Sequence, residues 1–238
     1  MVYVIAEAGL NHNGSMTLAK KLIDGAVEAG CDAVKFQKRT VDILATESVL
    51  NAKDDRFPEF GSTYRAIREF LEFNERQYEE LLAYAKGKGI DFLVTAFDIP
   101  AAETIRDLGC ESVKIASHGM TNIPLLEFTA KSFSRVFYSV GMTEIIDVNI
   151  AEDIFSGTEI ERVLLHCVSS YPCSPEECNL GMIPWLRSKY GGKIGYSGHE
   201  LGFYPTLAAV SLGAEVVERH YTIDKNLPGF DHHMSLDF

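Results

Sequence analysis

The sequence predicts a (β/α)8 barrel, a TIM barrel, and three observations lead there. Eight short apolar runs recur along the 238 residues and alternate with amphipathic stretches, the pattern of a parallel sheet wrapped in helices. The runs are apolar on both faces, as strands buried on both sides are. Nearly every run then finishes on polar or charged residues, and no GxGxxG follows the first one, which disfavours an open doubly wound sheet.

The first strand is read at 2–9 (VYVIAEAG). NHNG at 11–14 reads as a turn, its asparagines and Gly14 suited to left-handed backbone, and TLAKKLIDGAVEAG is the first helix. The second strand, 32–38 (DAVKFQK), enters a long connection at 39–73, rich in charges and in aromatics (Phe57, Phe60, Tyr64, Phe70, Phe73). A connection of that length is usually functional. NERQYEELLAYAKGKG, capped by Asn74, precedes strand three at 91–98 (DFLVTAFD), and AAETIRDLG follows it. Strand four at 112–117 (SVKIAS) leads to NIPLLEFTAKS, with Asn122 as its cap. Strand five at 135–141 (RVFYSVG) leads to EIIDVNIAEDIF, and strand six at 162–170 (RVLLHCVSS) to NLGMIPWLRSKYG. Strand seven at 193–199 (KIGYSGH), FYPTLAAVSLGA and strand eight at 216–222 (VVERHYT) complete the series. Gly30, Gly89, Gly109 and Gly191 stop four of the helices.

No composition break or Gly/Ser-rich linker divides the chain, so one domain is expected over 1–238. The 16 residues after strand eight contain Pro228 and Gly229 and no helical pattern. The eighth helix is missing from the pattern, as in a barrel covered there by a partner subunit or in a truncated form of something longer. The flank beside strands one and eight should then be only partly shielded.

Lys and Arg number 22 against 34 Asp and Glu, a formal charge of −12 with no basic run. This excludes the electrostatic footprint of a nucleic-acid or membrane-surface protein, though not a small anionic substrate. No run of about 18 apolar residues could span a bilayer. The N-terminus lacks the basic start and small-residue cleavage site of a signal peptide. The five cysteines fit neither a disulfide framework nor a zinc site, so the expectation is a reduced, cytoplasmic protein. The tandem His232-His233 reads as a solvated tail.

In a barrel of this kind the C-terminal strand ends build the active site. Those ends supply Glu7, Lys35, Gln37, Thr95, Lys114, Ser117, Ser139, His166, Ser169, Ser197, His199 and His220. Their convergence on one rim is the pattern of a preorganised polar pocket. Lys35 and Lys114, beside several hydroxyls, suit a phosphate plus a carboxylate; the competing reading pairs each lysine with Glu7 or another carboxylate. His199 and His220 end neighbouring strands. With Glu7 across the barrel they could hold a divalent cation, or serve as acid/base or structural histidines.

IAEAGLNHNG, DAVKFQ, SVKIAS, YSVGMT, LLHCVSSYP, GYSGHELG and ERHYTIDKNLPGFDH, in that order, resemble the sialic acid synthase family over essentially the whole chain. The resemblance implies a barrel that condenses phosphoenolpyruvate with a 2-acetamido sugar aldehyde, N-acetylmannosamine-like, and releases phosphate. It also implies a divalent metal, typically manganese, and a paired, homodimeric arrangement. Carried over residue by residue, it assigns His199 and His220 to the metal. Lys35, Gln37, Thr95, Lys114, Ser117, Ser139 and Ser197 fall to phosphoenolpyruvate. Glu7, Tyr171 and Asp231 fall on the sugar side, with Glu7 and Asp231 as the proton-handling carboxylates.

The chain departs from the family at several points. Gly119 stands where a glutamate near the reacting aldehyde is common, Ser169 for asparagine, Ala96 for proline and Gly198 for aspartate. The pattern stops short of the family's small antifreeze-protein-like domain. Two rival functions accompany these departures: a metal-dependent pyruvate aldolase, and a non-catalytic barrel that binds an acylated sugar or regulates a synthase.

Overall fold

A computed structural model describes residues 1–237. Eight parallel strands close into a barrel in sequence order: β1 (Tyr3–Gly9), β2 (Ala33–Lys38), β3 (Asp91–Ala96), β4 (Ser112–Ile115), β5 (Arg135–Ser139), β6 (Glu161–Cys167), β7 (Lys193–Gly198) and β8 (Val216–His220). Every strand begins within one residue of its predicted start. Six end one to three residues early, which leaves Ser117, Ser169 and His199 just beyond the ladder, free to line a cavity.

The helices, in chain order, are α1 (Met16–Glu28), α2 (Val41–Leu44), α3 (Glu47–Leu50), α4 (Tyr64–Leu71), α5 (Glu75–Lys88), α6 (Ile99–Asp107), α7 (Ile123–Ser132), α8 (Ile145–Ser156), α9 (Met182–Tyr190) and α10 (Tyr204–Ser211). Asn74 caps α5 in a reciprocal box with Gln77, and the Asn122 side chain accepts from Leu125 N. Both caps satisfy amides that a helix start leaves open. The four predicted stop glycines all take positive φ. No helix among the described residues is long and apolar enough to cross a membrane.

Alternation along each strand divides the core in two. Inward residues at the N-terminal end, Ile5, Ala33, Leu93, Phe137, Val163, Leu165 and Val216, fill the barrel's lower half. Outward residues such as Val34, Phe36, Val136 and Ile194 pack in the layer under the helices. Gly195 is required where the interior narrows: a Cβ there would lie 2.5 Å from both Leu165 Cδ2 and Val216 O.

The 39–73 connection is more ordered than the sequence suggests. It carries α2, α3 and α4 and shares a small core of Leu10, Phe60, Ile67 and Leu71, with Phe57 and Phe230 packed on it. Phe57 meets Phe230 edge-on at 4.7 Å, so this connection touches the segment after β8.

No α-helix follows β8 among the described residues. The segment folds back instead: Leu236 N donates to His220 O at 2.7 Å and Thr222 N to Leu236 O at 2.8 Å. Asn11, in the predicted turn, donates to Tyr221 O and Ser235 Oγ, both at 2.9 Å. His232 corrects the expectation of a solvated tail, for it is buried and its Nδ1 lies 2.8 Å from Thr222 Oγ1. The sequence could not reveal this because the segment folds back and brings the ring to Asn13, 3.2 Å away in space and more than two hundred residues away in the chain. His12 is also buried, its ring 4.1 Å from that of Phe73. The flank of β1 and β8 is better covered than expected: Val217 and Tyr221 are buried, and Val2 and Val4 partly so.

Candidate active site

At the C-terminal mouth of the barrel lies a cavity of about 440 Å3. Eleven of the twelve strand-end candidates line it, as do Tyr171 and Asp231; His166 does not. Its side chain points outward, with Nε2 2.8 Å from Cys178 O. The physical reason is parity. Leu165 and Cys167 take the inward positions of β6, so the residue between them faces the helices.

Four buried charges form the floor. Lys35 Nζ lies 2.6 Å from Glu7 Oε2, donates to Thr95 Oγ1 at 2.8 Å and sits 3.6 Å from Glu218 Oε1. Lys114 Nζ is 3.2 Å from both Glu218 oxygens, and Ser197 Oγ donates to Glu218 Oε1 at 3.1 Å. The lysines therefore do pair with carboxylates, and they do so on the cavity wall. Burial opposes charge on Lys35, yet Glu218 and Glu7 outweigh it and lift its ammonium above the ordinary value. Burial wins at Lys114, which is held below its ordinary value despite Glu218. Glu218 is pulled the opposite way to its own burial, because both lysines favour the carboxylate and hold it well down. Lys35 has Glu7 and Thr95 besides, whereas Lys114 has the shared Glu218 carboxylate, so Lys114 is the less fully satisfied of the two. Above the floor, Ser117 Oγ accepts from Gly141 N at 2.9 Å, while Ser139 Oγ is buried with no hydrogen-bond partner.

The two histidines face each other with ring centroids 5.6 Å apart. His199 Nδ1 lies 2.8 Å from Val168 O, which assigns its proton to that nitrogen and leaves Nε2 as a lone pair. Burial, with His220 beside it, pushes His199 down to about 3. Tyr171 lies over its ring at 4.1 Å. His220 Nδ1 is buried without a hydrogen-bond partner, 3.8 Å from Asp231 Oδ2.

Among the described residues no group of three or more His, Cys, Asp or Glu side chains gathers closely enough to hold a metal ion. Glu7, read from the sequence as a third donor, is engaged by Lys35 and by Gln37 Nε2 at 2.7 Å. Two imidazoles are thus the metal-type donors that face each other here, with Asp231 Oδ2 3.8 Å from His220 Nδ1.

Sequence reasoning missed Glu218, Arg39 and Arg68, all on the cavity wall. Glu218 precedes His220 by two and Arg39 follows Gln37 by two, so the strand period was the available signal. Arg68 comes from α4 and carries no such signal.

Behind the wall, the outward side of β8 bears a second charge pair. Arg219 Nη1 donates to Glu200 Oε1 at 2.7 Å, to Thr206 Oγ1 at 2.7 Å and to Gly202 O at 2.8 Å; its Nη2 donates to Glu200 O at 2.6 Å. Tyr196 OH donates to Glu200 Oε2 at 2.9 Å. Gly198 makes room for this arrangement. A Cβ there would lie 2.5 Å from Glu200 Oε2 and 2.6 Å from Tyr196 Cε1, so the glycine and the displaced carboxylate belong together. Gly119 lies behind the cavity too, where a Cβ would meet Ile115 Cγ2 at 3.1 Å; the wall at that point is Ala116, Ser117 and His118. Cys173 and Cys178 are buried free thiols with sulfurs 3.9 Å apart.

The NeuB family model matches residues 22–238. The chain is 41% identical over 238 residues to an N-acetylneuraminate-9-phosphate synthase of Drosophila melanogaster, covering 99% of this chain and 64% of that protein. It is 38% identical to an N,N'-diacetyllegionaminic acid synthase of Legionella pneumophila, covering 99% and 68%. Among solved structures, an N-acetylneuraminic acid synthetase from Leptospira borgpetersenii superposes with a TM-score of 0.87 at 37% identity, covering 99% of this chain and 78% of that one. The chain thus spans about two thirds of the length of these curated relatives.

Proposed function

The chain belongs to the NeuB family, and from that premise we propose that it condenses phosphoenolpyruvate with a 2-acetamido hexose to give a nonulosonate and inorganic phosphate. The observation that carries this reading is the pairing, in one cavity, of an incompletely satisfied Lys114 with two facing imidazoles. The first suits an anionic enol phosphate, the second the carbonyl that it attacks.

In this reading Lys35, Lys114, Thr95, Ser117, Ser139 and Ser197 hold the phosphate and carboxylate of phosphoenolpyruvate, with lysine as a compact point charge. Gln37 steadies Glu7, which orients Lys35. C3 of the enol attacks the sugar aldehyde, water adds at C2, and phosphate leaves by C–O cleavage. Holding both reactants in one orientation supplies much of the rate. Asp231, which no lysine neutralises, is the better placed carboxylate for proton transfer, and Tyr171 covers the sugar side. A divalent cation bound by His199 and His220 would act as a Lewis acid that polarises the aldehyde. The chain would work as a homodimer, the paired arrangement that the family resemblance implies.

The test is phosphate release from phosphoenolpyruvate with a panel of 2-acetamido hexoses, with and without manganese. Release that depends on the sugar supports the reading. Release of phosphate without sugar, or none with any sugar, overturns it. Consumption of pyruvate instead would point to an aldolase, which the paired lysines and hydroxyls disfavour.

A further inference from the structure

The reaction above uses no cysteine, yet two thiols meet beside the cavity. Cys173 and Cys178 bracket a turn between β6 and α9, with their sulfurs 3.9 Å apart. Both aim at one acceptor: Cys173 Sγ donates to Ser174 O at 3.4 Å and Cys178 Sγ to the same oxygen at 3.5 Å. The backbone has therefore already turned the two side chains toward each other.

Cys173 is 3% exposed and Cys178 fully buried, but their cover is thin. It is a single 3-10 turn, Pro175–Glu177, whose three residues are all exposed. Glu177 N donates to Ser174 O at 2.9 Å and Cys178 N to Pro175 O at 3.4 Å. So short an exposed element opens at far lower cost than the barrel beneath it. Burial, with Cys178 beside it, pushes the Cys173 thiol well up. The closed turn is thus unreactive, and opening it admits an oxidant.

The pair is tied to the cavity at both ends. Cys173 N donates to His199 O at 3.0 Å, and Cys173 bridges to Glu200 beyond β7. Cys178 O lies 2.8 Å from His166 Nε2 on β6. Tyr171, two residues before Cys173, has its ring 4.1 Å from that of His199 and 6.3 Å from that of His220. Drawing Cys173 toward Cys178 pulls on the backbone that seats Tyr171 against the two imidazoles.

We propose that Cys173 and Cys178 are a redox-active dithiol that a peroxide closes reversibly into a disulfide, and that closure shifts Tyr171 against the imidazoles and slows the site. Cys173, the less buried, reacts first. Its thiolate attacks one peroxide oxygen and the O–O bond breaks; the hydroxide released takes up the thiol's proton, leaving a sulfenic acid and water. Cys178 then attacks the sulfenic sulfur and expels a second water. Two thiols and one hydrogen peroxide give one disulfide and two waters, with two electrons passing from sulfur to oxygen. A small thiol reverses the bond by exchange. The disulfide is independent of which reaction the barrel catalyses; only its effect on rate rests on the condensation.

Three measurements test this. Reduced protein is treated with hydrogen peroxide and its proteolytic peptides are mapped by mass spectrometry, before and after dithiothreitol. The expected product is an internal 173–178 disulfide that dithiothreitol removes; two unchanged thiols, or a sulfinic acid at either position, overturn the proposal. Next, side-chain NMR of labelled histidines reports the Tyr171 ring current, with Tyr171→Leu identifying the signals of His199 and His220. Those signals should move on oxidation of the wild type and stay in place in Cys178→Ser and Cys178→Ala. Unmoved signals with the bond formed overturn the coupling.

Last, phosphate release should fall about tenfold or more on oxidation, since about 1 Å of misplacement can cost 100-fold, and should recover with dithiothreitol. A loss that persists in Cys178→Ser traces to Cys167 on the cavity wall and overturns the proposal. If no sugar reacts, the condensation fails, and the peptide map and the NMR signals still decide the dithiol.

Discussion

Two buried charge networks stand back to back across β8. Glu218 points into the barrel and is shared by Lys114, Lys35 and Ser197; its neighbour Arg219 points out and is held by Glu200, Thr206 and Gly202. The outer network is close to saturated. Arg219 makes four hydrogen bonds through its terminal nitrogens, leaving Nε over, and Glu200 has a partner for each carboxylate oxygen. The inner side is left open, with Ser139 Oγ and His220 Nδ1 buried and unpartnered. Buried polar groups are normally satisfied. Where satisfaction is nearly complete the chain holds itself together, and where it falls short the protein is shaped around something it binds.

The largest expected effect tests the outer side. Arg219→Met strips a buried partner from Glu200, and stability should fall by about 3–5 kcal/mol in chemical denaturation. A loss below about 1 kcal/mol would erase the distinction. Lys114→Met should act differently. Phosphoenolpyruvate binding by calorimetry should weaken at least tenfold, about 1.5–3 kcal/mol, while stability falls less than in Arg219→Met, because Glu218 keeps Lys35 and Ser197. Wild-type affinity together with a large stability loss would make the inner network structural as well.

Gly198→Ala probes the space the outer network needs. Overpacking against Glu200 and Tyr196 should cost about 1–3 kcal/mol in chemical denaturation. An unaffected single variant would mean that the two residues are not linked.

The smallest effect comes from acid. His12, outside both networks, is pushed down by burial to about 3 from an ordinary 6.5. Its folded-state value is depressed, so between those limits the unfolded chain binds more protons and stability rises with pH. Below about pH 6.5 stability should fall by up to roughly 1.4 kcal/mol per unit from this group. Denaturation at pH 7.5 and 5.5 should show a shallower fall in His12→Gln; an unchanged slope would move the acid sensitivity onto the networks themselves.

The strands were legible in the sequence because parallel strands covered on both sides leave long apolar runs, and caps such as Asn74 and glycines such as Gly89 bounded the helices. The polar rim was legible because so many runs end alike. What failed was finer. His166 was counted with the rim although its neighbours Leu165 and Cys167 hold the inward positions, and Glu218 was passed over although it shares a face with His220. The four-residue helices α2 and α3 are too short for a periodic signal. Arg68 and His232 take part of their surroundings from residues far away in the chain, Phe230 for the one and Asn13 for the other, and local pattern cannot supply that.

The closure of the barrel has a consequence for how the protein is made. β1 pairs with β8 in register from Tyr3 against Val216, more than two hundred residues downstream. At typical synthesis rates of about 5–20 residues per second, β1 leaves the ribosome roughly ten to forty seconds before its second neighbour exists. Throughout that interval one edge of β1 is an unpaired template for strands of other chains. The barrel's first strand is thus the part of the nascent chain that a holding chaperone should contact longest, and slowing translation near its end should raise aggregation before it alters the finished fold.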